Sequence, residues 1–315
     1  MIYLILIPVF FLVMLLYFKI ADHYNIVDKP NERSSHHDTI IRGGGIIFLF
    51  AALITLFMQP GLWLPLSAII IIGIISFLDD MHTLSNKLRI LIHLIAVSII
   101  FYWLHIFKEF PVYSVVIFYI VVIGTINAYN FMDGINGITG VYSLVILGGL
   151  QYINLNQVNF IKPDMIWLPM LGCIVFLYFN FRKIAKCFAG DVGSITIAFW
   201  IIILLLQLML TTQNLVYILF LLVYGIDSVL TIIHRLFLKQ NIFKAHRLHF
   251  YQLLANEYKL PHLAVSCTYA VLQLCIIIMV IEKPQQFLID ACICCIPLAL
   301  IYIIAKPILM KLRID

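Results

Sequence analysis

Long apolar runs separated by short polar stretches repeat along the whole chain of 315 residues. The runs are continuous and do not alternate in polarity, which excludes a transmembrane β-barrel. A helix needs about 20 predominantly apolar residues to cross a bilayer. The pattern predicts eleven such helices, near 1–19, 43–58, 63–78, 88–104, 113–131, 139–154, 165–181, 192–210, 214–233, 260–281 and 286–305. The expected fold class is therefore all-α, a polytopic membrane protein forming a single integral-membrane domain over 1–315. The first run, Ile2 to Phe18, lacks a basic leader and an A-x-A-like cleavage site, so it is read as a retained helix. No linker, low-complexity tract or internal repeat interrupts the series.

Composition agrees with the pattern: 63% of residues are hydrophobic, 11% are charged and the mean hydropathy is +1.07. Charge adds an orientation. Of the 20 Lys and Arg residues, 17 fall in one set of loops and three (Lys108, Lys162 and Lys283) in the other. The positive-inside rule then puts the N-terminus outside and the C-terminus in the cytoplasm. A net charge of +5 concentrated on the inner face suits anionic lipid headgroups or phosphate substrates; no nucleic-acid partner is expected. The seven cysteines lie mostly in apolar runs without metal-site spacing and are read as packing residues.

The polar residues gather in five inner loops, 20–42, 79–87, 132–138, 182–191 and 234–259. The first carries Asp28-Lys29-Pro30-Asn31-Glu32-Arg33-Ser34-Ser35-His36-His37 and then Arg42-Gly43-Gly44-Gly45. The second begins with Asp79-Asp80, two carboxylates whose repulsion needs a cation, followed by Lys87 and Arg89 behind a candidate N-cap, Ser85. Asn127, Asn130 and Asp133, spaced by three, fall on one face at the end of a helix. Asn180 precedes Arg182, Lys183 and Lys186, and then Phe188-Ala189-Gly190-Asp191-Val192-Gly193-Ser194. An Asp between glycines and near basic residues suits Mg²⁺ held jointly by carboxylate and phosphate. The last loop holds His246-Arg247-Leu248-His249-Phe250-Tyr251-Gln252, where Arg247 and His249 are candidate phosphate ligands. Taken singly, several of these read as turns, a self-neutralised charge cluster or a lipid-facing amphipathic helix. Together they place carboxylates, amides and basic groups on one membrane face.

In order, these motifs resemble those of the polyprenyl-phosphate N-acetylhexosamine-1-phosphate transferases, the family that includes O-antigen and common-antigen initiators and the phospho-MurNAc-pentapeptide transferase. The resemblance runs from Asp28 to His249. It implies transfer of a sugar-1-phosphate from a UDP-N-acetylhexosamine to undecaprenyl phosphate, with release of UMP, in a bacterial inner membrane and as the first step of a cell-surface glycan. It implies Mg²⁺ (with Mn²⁺ as the second candidate) on Asp191, and a catalytic group of Asp79, Asp80 and Asp133, with Asp79 contacting and deprotonating the lipid phosphate. Lys87, Asn127, Asn130, Asn180, Phe188, Arg247 and His249 are the implied substrate-binding residues, Phe188 as the ring that stacks on uracil. A homodimer is a candidate assembly. Two positions depart from the family pattern: Asn136 stands where many relatives have Asp, and Phe250-Tyr251-Gln252 follows His249 where many have further histidines. A transporter or flippase for an anionic lipid or nucleotide-sugar is the alternative, and it calls for polar residues through the bilayer midplane, of which Gln207 and Gln273 are among the few expected.

Overall fold

The computed structural model describes residues 2–28, 39–241, 247–282 and 287–311. The polar stretch from Lys29 to His37, and His246 of the last motif, lie outside the described residues.

Each apolar run has a helix: α1 (Ile2–His23), α2 (Ile46–Met58), α3 (Trp63–Met81), α4 (Asn86–Trp103), α5 (Val112–Met132), α6 (Ile138–Asn156), α7 (Asp164–Asn180), α8 (Gly190–Thr212), α9 (Leu222–Phe237), α10 (His262–Glu282) and α11 (Phe287–Lys311). Among the described residues nine apolar segments are at least 18 residues long and apolar enough to cross a membrane, while α2 and α7 are shorter apolar helices of 13 and 17 residues. The all-α, polytopic fold class is what the molecule has.

Helix α8 is the axis of the bundle, with 83% of its span buried against 17% for α11, and it packs on α2, α3, α5 and α6. Between apolar helices in lipid, association depends on close packing and on internal hydrogen bonds. Trp200, fully buried in α8, donates its Nε1–H to the Met165 carbonyl at 2.9 Å. At the mouth of the bundle Gly45 meets Gly193 backbone to backbone; a Cβ on Gly45 would overlap the Gly193 main chain. At the opposite end, Asp164 at the start of α7 accepts from the Tyr3 hydroxyl at 2.5 Å and from Gln59 Nε2 at 2.6 Å, fastening α1 and α2 there.

The structure corrects four local expectations. First, α3 continues through Asp79 and Asp80 to Met81, so the pair sits in the last helical turn instead of a loop. Second, the run 214–233 is not one helix: Leu215–Leu221 is a 3₁₀ turn leading into α9. Buried Gln273 serves that junction, accepting from Val223 N at 3.2 Å and donating to the Leu219 carbonyl at 2.9 Å, which satisfies backbone groups at the change of helix type. Third, α11 runs past Lys306, which is only 2% exposed inside the bundle instead of lying in an inner loop. With Asp227 and Arg235, also buried, it makes the helices more polar inside than the hydropathy pattern suggested. Fourth, two short strands appear: Val27–Asp28 (β1) pairs antiparallel with Ile40–Ile41 (β2). Ile41 also bridges Cys187 in parallel, and the Gly44 and Gly45 amides donate to the carbonyls of Phe188 and Ala189. This patch sews the first inner loop to the fourth.

Candidate active site

Three separated segments deliver the acidic residues. Asp79 and Asp80 come from the last turn of α3, Asp191 from the first turn of α8, and Asp133 from the residue after α5. Adjacent helix positions point about 100° apart, so the two α3 carboxylates do different work. Asp80 turns onto the start of α8: its Oδ1 and Oδ2 accept from Asp191 N and Val192 N, each at 2.9 Å. A carboxylate there satisfies orphan amides and suits the positive end of the helix dipole. Gly190, with φ of 71°, permits this approach, since a side chain in that backbone conformation would be strained and would run into Asp80. Asp79 instead accepts from Leu84 N at 2.7 Å, shaping the turn into α4.

Two arginines knit the carboxylates together. Arg42 Nε lies 2.7 Å from Asp80 Oδ1 and its Nη2 3.5 Å from Asp191 Oδ1. Arg89 Nη1 lies 3.0 Å from Asp79 Oδ2 and its Nη2 3.3 Å from Asp191 Oδ2. Burial works against the Arg42 charge, but Asp80, Asp191 and Asp28 together hold its pKa above the usual arginine value. Asp191 is the most open of the three carboxylates, with its side chain 16% exposed against 7% for Asp79 and 0% for Asp80. Asp133 accepts from the Thr139 hydroxyl at 2.6 Å. Burial pushes its pKa up from 3.8 to about 6; the Thr139 bond and Arg42 oppose the rise, and the Asp80 charge adds to it.

Asn130 is joined to the start of α8 by Ser194, which donates to its Oδ1 at 2.7 Å. Asn180 is buried and engaged on both sides of its amide: its Oδ1 accepts from Gly137 N at 2.7 Å and its Nδ2 donates to the Cys187 carbonyl at 2.8 Å. It latches the third loop to the fourth. Phe188 is half-buried, with its backbone in the strand patch between the first and fourth loops. Asn127 donates back to its own helix, at the Ile123 carbonyl. Lys87 is exposed in the first turn of α4, and the cation that reaches the acidic group is Arg89, two residues on. Arg247 is half-buried, and His249 is buried beside Asp227. The lipid-facing amphipathic reading of 247–252 therefore does not apply to His249. Cys187 is also buried, and burial pushes its thiol pKa up, as a packing residue requires.

Arg42, Arg89, Ser194 and Asp227 complete this geometry, and none was assigned a site role from the sequence. For Arg89 the available signal was helical phase: from the Ser85 cap, residues 85 and 89 share a face one turn apart, and Lys87 does not. Arg42 carried only its place before three glycines.

The residues fit a divalent cation shared with a ligand. Among the described residues no three His, Cys, Asp or Glu side chains form a metal cluster. Asp191, the most exposed of the three carboxylates but already beside Arg42 and Arg89, would hold Mg²⁺ jointly with substrate phosphates and not in an all-protein cage.

Comparison with known proteins gives a family likeness. Residues 62–209, which include Asp79, Asp133 and Asp191, match the model of glycosyl transferase family 4. The chain is 27% identical over 248 residues to a probable undecaprenyl-phosphate N-acetylglucosaminyl 1-phosphate transferase of Bacillus subtilis (strain 168), covering 71% of this chain and 68% of that one. It is 31% identical over 212 residues to the undecaprenyl-phosphate alpha-N-acetylglucosaminyl 1-phosphate transferase of Yersinia pestis, covering 60% and 57%. It is 32% identical over 168 residues to the phospho-N-acetylmuramoyl-pentapeptide-transferase of Dictyoglomus turgidum, covering 48% and 54%. The chain thus spans between about half and two thirds of the length of these curated relatives.

Proposed function

We propose that the chain is a member of glycosyl transferase family 4, whose model matches residues 62–209, and that it moves an N-acetylhexosamine-1-phosphate from a UDP-sugar to undecaprenyl phosphate. In this reading an oxygen of the lipid phosphate attacks the β-phosphorus of the UDP-sugar. The bond from that phosphorus to the bridging oxygen breaks, and UMP leaves with the electron pair. Bringing two anionic phosphates together is opposed by Coulomb repulsion, so the reaction asks mainly for charge neutralisation and positioning. Bound at Asp191, Mg²⁺ or Mn²⁺ would supply charge neutralisation on the diphosphate oxygens.

The chain's own residues supply the rest. Asp79, which shares Arg89 with Asp191, receives the lipid phosphate and any proton it carries. Asp80 holds the first turn of α8, and so Asp191, in place through two amide bonds. Arg42 and Arg89 lie within reach of both carboxylate and phosphate. Asn130 and Asp133 border the nucleotide end, and Phe188 offers a ring to the uracil. The face that carries the site is the cytoplasmic one, with the N-terminus outside and the C-terminus inside.

One observation carries this reading: Asp79, Asp80 and Asp191, from segments more than a hundred residues apart in sequence, are tied together by two arginines at one end of a membrane bundle. The experiment is direct. Purified protein with Mg²⁺, undecaprenyl phosphate and a panel of UDP-N-acetylhexosamines should release UMP. Asp79→Asn and Asp191→Asn should each lower turnover to background while the protein still accumulates in the membrane. Full turnover in either variant, or in excess EDTA, overturns the mechanism.

A further inference from the structure

Asp227, in α9, stands outside the carboxylate cluster, and no role was read for it from the sequence. It is buried, and its two oxygens collect donors from three segments: its own helix, the stretch 249–251 and α10. Oδ1 accepts from Phe250 N at 2.9 Å and from the Thr231 hydroxyl at 3.3 Å, and lies 3.4 Å from His249 Nδ1. Oδ2 accepts from the Tyr269 hydroxyl at 2.7 Å and from Tyr251 N at 3.3 Å. A charged side chain inside a membrane bundle is costly and marks function by default. Two of these donors are the first amides of the short helix Phe250–Gln252, which begins directly after His249. Asp227 thus does from another helix what an N-cap residue does locally.

The network continues on both sides. Toward the site, the Tyr251 hydroxyl donates to the Phe131 carbonyl at 2.8 Å, and the His249 ring lies 6.3 Å from the Phe131 ring. His249 is thereby set against the end of α5, which carries Asn130 and Asp133. Away from the site, the Thr231 hydroxyl contacts the Tyr302 hydroxyl at 2.5 Å, and Lys306 Nζ donates to Thr231 at 3.2 Å and to Tyr302. The last helix, α11, is fastened to the same carboxylate through Thr231.

We propose that Asp227 is the positioning residue for His249. It fixes the angle at which the Arg247–His249 segment meets the end of α5, and Thr231, Tyr302 and Lys306 brace it from α9 and α11. This inference rests on the transferase reading given above.

The test uses the full-length protein in two measurements. Hydrogen exchange in peptides spanning 247–257 should rise in Asp227→Asn, which weakens the acceptor of the Phe250 and Tyr251 amides. In the UMP-release assay, kcat per folded molecule should fall roughly tenfold to a hundredfold, the range for partners that orient a site residue. The KM for the UDP-sugar should change by less than about threefold. The deciding comparison is with His249→Ala: a residue acting through His249 costs little more once His249 is gone, so the double variant should match His249→Ala alone. Losses that multiply in the double variant, or unchanged exchange in Asp227→Asn, overturn the proposal. So does a kcat per folded molecule that stays at the wild-type value, which would leave Asp227 a fold-holding residue only. Where Asp227→Asn does not accumulate, Thr231→Val carries the same comparison, with a smaller kcat loss that also disappears in the His249→Ala background. A wild-type protein that releases no UMP removes the transferase reading and this inference with it, whereas multiplying losses in an active enzyme remove this inference alone.

Discussion

At Asn136 the structure supplies a reason for the residue type. Its side chain is buried and its Nδ2 donates to the Arg182 carbonyl at 2.9 Å and to the Lys183 carbonyl at 3.4 Å. The same residue's carbonyl accepts from Ser266 at 2.8 Å. An Asp here would turn an acceptor toward two acceptors. Asn136→Asp should therefore lower stability by about 1–3 kcal/mol, the cost of unmatched buried polar groups, read as a lower unfolding midpoint in detergent. An unchanged midpoint would show that the amide is not used as a donor. Asp133 supplies a pH dependence. Its pKa in the fold, about 6, lies above the ordinary 3.8. Raising the pKa of an acid means that the fold favours the protonated form. That stabilisation is complete below about pH 4 and lost as pH rises through about 6. Asp133→Asn should flatten this part of the stability profile, checked by thermal unfolding across pH 4–7. If the ionised form is the one that works, wild-type turnover should also fall as pH drops below about 6. At this scale the acidic residues were legible because carboxylates beside apolar runs need a partner. The arginines were less so: Arg89 is told from Lys87 only by helical phase counted from the Ser85 cap, and Arg42 carried no signal beyond its place before three glycines.

The elements were legible where hydropathy is the cause, and their ends were not where side chains set them. Asp79 and Asp80 remain helical since their oxygens have partners immediately at hand, in Leu84 N for one and the α8 amides for the other. A polar pair closing an apolar run reads as a loop only when those partners are unseen. The Ser85 cap is a case where composition and structure agree: its hydroxyl accepts from Leu88 N at 3.3 Å. Ser85→Ala should destabilise the start of α4 by about 1 kcal/mol, read as a lower unfolding midpoint in detergent. An unchanged midpoint would show that the hydroxyl does not cap the helix. The strand patch at Ile41 and Cys187 was invisible to hydropathy. Its pairing depends on amides and carbonyls, which every sequence has, and not on side chains that would announce it.

For the whole molecule, the count and order of helices follow from the apolar runs, whereas the inside of the bundle does not. Hydropathy averages over a window and so passed over Asp227, Thr231 and Lys306, whose cost is offset by one another and by Tyr302. Orientation rests on the 17-to-3 division of Lys and Arg among loops. Counting out Lys306 and Arg235, both buried within helices, leaves 15 to three, so the expected sidedness stands. A fluorescent protein fused after residue 315 should light up in the cytoplasm, and a periplasmic reporter at the same place should stay silent. The reverse result would turn the molecule over.

The Gly45–Gly193 crossing has a consequence for tolerance to change. Where two main chains touch, no rotamer is left to adjust, so any side chain added at Gly45 must push the start of α8 away from the first inner loop. The segment 247–257 is held instead by side chains, Asp227 on the Phe250 and Tyr251 amides and the Tyr251 hydroxyl on the Phe131 carbonyl. Side chains can turn to a new rotamer and touching backbones cannot. Substitutions are therefore expected to be absorbed more readily around 247–257 than at either glycine.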